Sequence, residues 1–200
     1  MKKLWNIGLL AALLVFGGFL FGVSEQGALL HENLIRLHVV ANSDSAADQA
    51  VKLRVRDAIT DYLAPVLAGF ESREEAEEYL QAHLSDLQRI ANEALARLGS
   101  RDTAVVTLAL EEFPKRIYDT FSLPSGVYES LRVRIGDAQG QNWWCVVFPQ
   151  LCLPATSEGF DVTAAAAGFP ESLTEALQGD NEIRFFFLDC LGQLENFFFE

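Results

Sequence analysis

The chain has 200 residues, half of them hydrophobic, and carries 15 Lys and Arg against 28 Asp and Glu, a formal net charge of −13. That length and apolar content are enough for a domain with a substantial core. The acidic balance argues against binding a phosphate backbone as the main activity, because such binding rests on basic side chains that neutralise phosphates, so nucleic acid is not an expected partner.

Lys2 and Lys3 precede an uncharged apolar stretch, residues 7–23. As a helix it is about 25 Å long, a little short of the roughly 30 Å hydrocarbon core of a bilayer. A basic start, an apolar middle and the small residues Gly22 and Ser24 before Glu25 predict an export signal over residues 1–24. Left uncut, the same segment is a membrane anchor with its lysines inside. A buried globular helix would need apolar neighbours all round, since the stretch has no polar face.

Residues 35–40 are rich in β-branched side chains and predict a strand. Asn42-Ser43-Asp44-Ser45 supplies helix-capping side chains; as an alternative to capping, it would add a polar rim beside His38. Val51, Val55, Ala58, Ile59, Tyr62, Leu63 and Val66 then recur at helical spacing, with Pro65 near the end. A second helix is predicted from Ser72, where Glu75 completes the capping-box spacing, through Leu80, Leu84, Leu87, Ala91, Ala94, Leu95 and Leu98 to the stop at Gly99. Further strands are expected at residues 103–112, 116–121, 127–135 and 142–148, joined by short turns bearing Pro or Gly. The expected fold class is α+β, a mainly antiparallel sheet covered on one face by two long helices, behind the N-terminal apolar signal or anchor segment.

Residues 25–153 form the expected main domain, and residues 154–200 a connector and a Phe-rich C-terminal segment. The connector is expected to be loose, with one short helix near residues 171–177. In residues 183–200, Phe187, Leu191, Leu194 and Phe198 share one helical face. That face needs cover, from the chain's own domain, a membrane surface or a partner helix.

Neighbouring side chains on a strand point to opposite faces, so Trp143 and Trp144 are separated. Pairing Gly136 with Gln141 across a four-residue loop would set Val133 against Trp144 and Leu131 against Val146, with Arg134 against Trp143. On that register Trp144, Val146 and Phe148 enter the core under the helices. Arg36, His38, Tyr128, Arg132, Arg134 and Trp143 then gather on the opposite face, with Arg134 over the Trp143 ring. Arginine, tyrosine and tryptophan dominate binding hot spots, which makes these six the candidate partner-binding residues.

Cys145 and Cys152 are a possible disulfide, with Pro149 to reverse the chain between them and a loop closure worth about 2.5 kcal/mol. Reduced, they would pack as small hydrophobes, and Cys190 is left over in either case. Their spacing is not the short metal-binding kind and no histidine pair accompanies it, so no zinc and no other cofactor is expected.

Three segments in order, Ile35-Arg36-Leu37-His38-Val39-Val40-Ala41-Asn42-Ser43-Asp44-Ser45, Leu123-Pro124-Ser125-Gly126-Val127-Tyr128-Glu129-Ser130-Leu131-Arg132-Val133-Arg134-Ile135-Gly136 and Asn142-Trp143-Trp144-Cys145-Val146-Val147-Phe148-Pro149-Gln150-Leu151-Cys152, stand behind the apolar N-terminus. Together they resemble stage II sporulation protein R of endospore-forming bacteria over roughly residues 30–153. The resemblance implies a signal and not an enzyme. In that family the forespore exports the protein into the space between the two sporulation membranes. There it triggers a membrane-embedded aspartic protease of the mother cell, stage II sporulation protein GA, which cleaves the precursor of sigma factor E. The resemblance carries over no catalytic residues.

Two rival classes have their own tests. A secreted hydrolase with His38 as base and Asp44 or Ser43 nearby would need three groups to converge within seven residues across a strand end and a helix start. A cell-envelope protein could bind wall polymer through Trp143 and Tyr128, and a pull-down on purified wall distinguishes it.

Overall fold

The computed structural model describes residues 2–149 and 157–199. The order is α1 (Lys2–Asn33), β1 (Ile35–Val40), α2 (Ala46–Leu67), α3 (Arg73–Ala82), α4 (Leu84–Arg97), β2 (Ala104–Phe113), β3 (Arg116–Ile117), β4 (Ser122–Leu123), β5 (Gly126–Ile135), β6 (Asn142–Phe148), α5 (Ser157–Ala166), α6 (Glu171–Gln178) and α7 (Glu182–Phe199). The fold is α+β with a mainly antiparallel four-stranded sheet, as expected from the sequence. Two compact units share the chain: residues 31–111 with 128–168, and residues 1–30 with 112–127 and 169–200.

In the first unit the sheet order is β2-β5-β1-β6. β1 therefore separates β5 from β6, the two strands that the sequence reading joined directly. It runs parallel to β5, with Leu37 opposite Leu131, and antiparallel to β6, with Leu37 opposite Cys145 and Val39 opposite Trp143. Ile35, Leu37, Val39, Leu131, Val133 and Ile135 pack against Val55, Ile59 and Leu63 of α2 and Leu87, Ala91 and Leu95 of α4. Full burial of each such aliphatic side chain is worth about 1.5–3 kcal/mol, which makes this layer the main source of the unit's stability.

The chain between β5 and β6 must pass over the end of β1, and the Asn42-Ser43-Asp44-Ser45 segment holds it there. Asn42 Oδ1 accepts from Asp137 N at 2.9 Å, Asp44 Oδ1 from Gln141 N at 2.7 Å, and Gly140 N donates to Ala41 O at 2.9 Å. At Gly140 the backbones approach so closely that an added Cβ would overlap the Ser43 carbonyl. The same segment starts α2: Ser45 Oγ accepts from Asp48 N, and the Asp48 carboxylate accepts from Asn42 and Ser43. These bonds hold the Asp48 carboxyl below its ordinary value. Lys52, buried on α2, reaches across to Gln141 O at 2.8 Å. Asn42→Ala removes bonds to both the loop and the cap, and is expected to lower unfolding stability by about 1–3 kcal/mol. A urea midpoint equal to the parent's would show that the clamp carries no stability.

The single helix expected from Ser72 to Leu98 is divided at His83. The His83 ring lies 2.8 Å from Tyr79 O through Nδ1 and stacks on the Tyr79 ring at 4.0 Å. A side chain that competes for the i−4 carbonyl bends a helix at that point. The expected strand at residues 116–121 is also corrected, since among the described residues β3 (two residues long) pairs with β4 in a separate two-stranded ribbon. The expected loose connector contains α5, whose Phe160 and Ala164, one turn apart, are fully buried.

In the second unit α1 runs without a break through Ser24 and Glu25. Val23 and Leu30 are fully buried, and Gln26 donates to Ser172 Oγ at 2.7 Å and accepts from Arg184 at 2.9 Å. α7 does form in the C-terminal segment, but its buried side is Leu188 and Gly192, whereas Leu194 and Phe198 are exposed. Gly192 sits directly on the Ser125 carbonyl, where a Cβ would overlap it. Around that seat Asp189 accepts from Ser125 N and Oγ at 2.9 and 2.7 Å, Glu195 from Val127 N at 3.2 Å, and Asn196 donates to Phe113 O at 3.1 Å. The Leu123-Pro124-Ser125-Gly126 motif is thus the docking edge for α7, a role the sequence reading did not give it.

Candidate functional site

β1 and β5 run in parallel register, so their even-numbered residues share the sheet face away from α2 and α4. Arg36, His38, Tyr128, Ser130, Arg132 and Arg134 stand there together. β6 adds Trp144 opposite His38 and Val146 opposite Arg36, while Trp143 and Cys145 point toward the helices. The expected assignment of the two tryptophans is therefore reversed. Arg56 of α2, and not Arg134, lies over the Trp143 ring at 4.3 Å.

Burial divides the six candidate residues further. Arg36 and Tyr128 have no exposed surface, and the Arg36 guanidinium lies 5.0 Å over the Tyr128 ring, which also meets His31 edge-on at 4.7 Å. These two side chains act inside the fold. His38 is 9 % exposed, Arg132 half-buried and Arg134 exposed, and Trp143 is 36 % exposed on the other face.

The polar centre of the face is Glu111 of β2. Its carboxylate lies 3.3 and 3.4 Å from His38 Nδ1 and 2.9 Å from Arg132. The Trp144 ring stacks on His38 at 5.5 Å with planes 18° apart. Glu111 was not singled out from the sequence, although its place in an alternating strand could have put it on this face. Burial pushes its carboxyl up, but hydrogen bonds from His38 and Ser130 and the charges of His38 and Arg132 bring it below the ordinary value. Glu129 shows the opposite balance: burial and the nearby Glu77 raise it against the pull of Arg73.

A carboxyl held lower in the folded than in the unfolded chain contributes stability above its unfolded value and loses it as pH falls. Glu111 therefore steepens the loss of stability below pH ~4.5, and Glu111→Gln is expected to make that acid slope shallower in urea unfolding from pH 3 to 7. An unchanged slope would mean that the His38–Glu111–Arg132 group does not favour the ionised carboxylate.

Ser43 and Asp44, the rival partners of His38, are engaged elsewhere: Ser43 Oγ donates to Asp48 and Asp44 accepts from Gln141. On the helix side of β6, a groove of about 290 Å³ is lined by Arg56, Asp57, Asp61, Leu67, Trp143 and Val147, among others. Cys145 is disulfide-bonded and Cys190 is a free thiol. Cys152, the expected partner of Cys145, lies outside the described residues.

The family model described as stage II sporulation protein R matches residues 31–158. The chain is also similar to stage II sporulation protein R of Bacillus subtilis (strain 168), at 29 % identity over 222 residues, covering 97 % of this chain and 99 % of that relative. No solved structure matches it significantly.

Proposed function

Because the chain belongs to the stage II sporulation protein R family and so to sporulation, we propose that it is the exported signal that activates a membrane aspartic protease, stage II sporulation protein GA. That protease then processes the precursor of sigma factor E. The observation that carries this reading is the extent of the family match, residues 31–158, which includes all four strands of the sheet and the whole cluster around Glu111. The apolar α1 is compatible with a signal or an anchor, and supports a place outside the cytoplasm.

The protein acts by contact, and the face of β1 and β5 meets the protease's extracytoplasmic part. Arg134, Arg132 and Trp144 provide the reachable contacts, in the side-chain types that dominate hot spots. His38 orients Trp144 from one side and Glu111 fixes Arg132 from the other. Arg36 and Tyr128 support the strands from within, and Trp143 belongs to the groove with α2.

Co-expression of this chain with the protease and the sigma precursor in a non-sporulating host tests the proposal. Cleavage should require both proteins. Cleavage by the protease alone, or none with both present, would remove it. A folded His38→Ala chain that still triggers cleavage would dispose of the hydrolase alternative.

A further inference from the structure

α7 has two unlike sides. One buries Leu188 and Gly192 and turns Arg184, Asp189 and Glu195 to Gln26, Ser125 and Val127. The other carries Ile183, Phe186, Cys190, Leu194 and Phe197, spaced three or four residues apart along one stripe of the helix. Ile183, Phe186, Leu194 and Phe197 are 69, 60, 55 and 74 % exposed. The stripe holds no charged residue and is about 20 Å long, a larger continuous apolar surface than scattered exposed side chains account for.

Phe187 shows what adjoins this stripe. Its ring meets Phe19 at 5.4 Å, Phe16 at 6.0 Å and Phe186 at 5.5 Å, while Arg184 lies over the Phe19 ring at 5.5 Å. Phe16 and Phe19 belong to the uncharged part of α1, where Leu9, Leu10, Leu13, Leu14 and Phe21 are also exposed. Among the described residues, α1 is the one helix long and apolar enough to cross a membrane. The bare surface of α7 is continuous with it.

Resting on the reading that α1 enters a bilayer, we propose that the stripe from Ile183 to Phe197 lies on the lipid surface as a second, interfacial membrane contact. Phe187 is fixed beside Phe16 and Phe19, so insertion of α1 brings Ile183 and Phe186 to the headgroup boundary. An amphipathic helix there buries its apolar side about 5–10 Å deep. A chain of net charge −13 gains nothing from anionic headgroups, so neutral lipid suffices and added salt does not release the contact.

The test uses the full chain in phosphatidylcholine vesicles with brominated acyl chains, which quench nearby indoles. Trp5 reports α1: the parent should be quenched relative to W5F, which retains Trp143 and Trp144. In the W5F background, F186W and, as a second reporter, I183W should each add emission that is quenched by at least half. If Trp5 is quenched while both new indoles stay bright, the stripe faces water or a protein partner and the proposal is overturned. If Trp5 itself stays bright, the membrane reading of α1 fails and takes the proposal with it.

Discussion

Valine at position 192 is expected to release α7 from its seat and to cost about 3–5 kcal/mol of local stability, the range reserved for substitutions with a specific steric or burial fault. A Cβ at Gly192 already overlaps the Ser125 carbonyl, and the adjoining atoms are the Gly126 backbone and not a side chain that could swing away. Separating the two also strands the Ser125 and Val127 amides that now donate to Asp189 and Glu195. Hydrogen exchange reads this directly: amides of α7 should lose at least about a hundredfold of protection. Leu194→Ala, on the exposed side of the helix, should leave exchange unchanged. Full protection of α7 in Gly192→Val would mean that the close approach is not what holds the helix.

Arg134→Glu is expected to lower sigma-precursor processing by at least tenfold, about 1.4 kcal/mol of contact energy, without a change in thermal unfolding, because Arg134 is exposed. Trp144→Ala should also reduce processing through loss of the ring stacked on His38. Trp143→Ala should do the reverse, keeping processing near the parental level while costing about 1–2 kcal/mol of stability through its contact with Arg56. Processing lost with Trp143 and kept without Arg134 would put the contact on the α2 side of the sheet instead.

What was legible in the sequence and what was not divides along a physical line. The four strands of the sheet, the α2 cap and the start of α3 each announce themselves within a few residues. Period-two alternation also sorted β1, β5 and β6 each into two correct sets, in β6 Trp143 with Cys145 and Trp144 with Val146. Which set faces the helices depends on the neighbouring strand, and a one-residue change of register exchanges the faces. Taking β5 as the neighbour of β6 gave one answer; β1 in that place gives the other. Burial of Arg36 and Tyr128 was hidden for a related reason, since side-chain type marks a residue as polar or aromatic without saying what covers it.

α7 was legible as a helix and illegible as a packed one. Its docked side centres on Gly192, which carries no side chain to signal a contact, and the side facing away is the more apolar. The break at His83 was missed because its cause is a hydrogen bond to Tyr79 O, and no proline or glycine marks the place.

The position of β1 decides when the sheet can close. β1 lies at the interior of the sheet, yet the strands on either side of it come from on the order of 100 residues later in the chain, a topology of high contact order that closes late. A polypeptide threaded N-terminus first through a translocation channel delivers β1 early and leaves its hydrogen-bonding edges waiting until β5 and β6 emerge. The face bearing Arg134 and Trp144 therefore does not exist on a partly emerged chain, and under the proposed function completion of transport is itself a condition for presenting the signal.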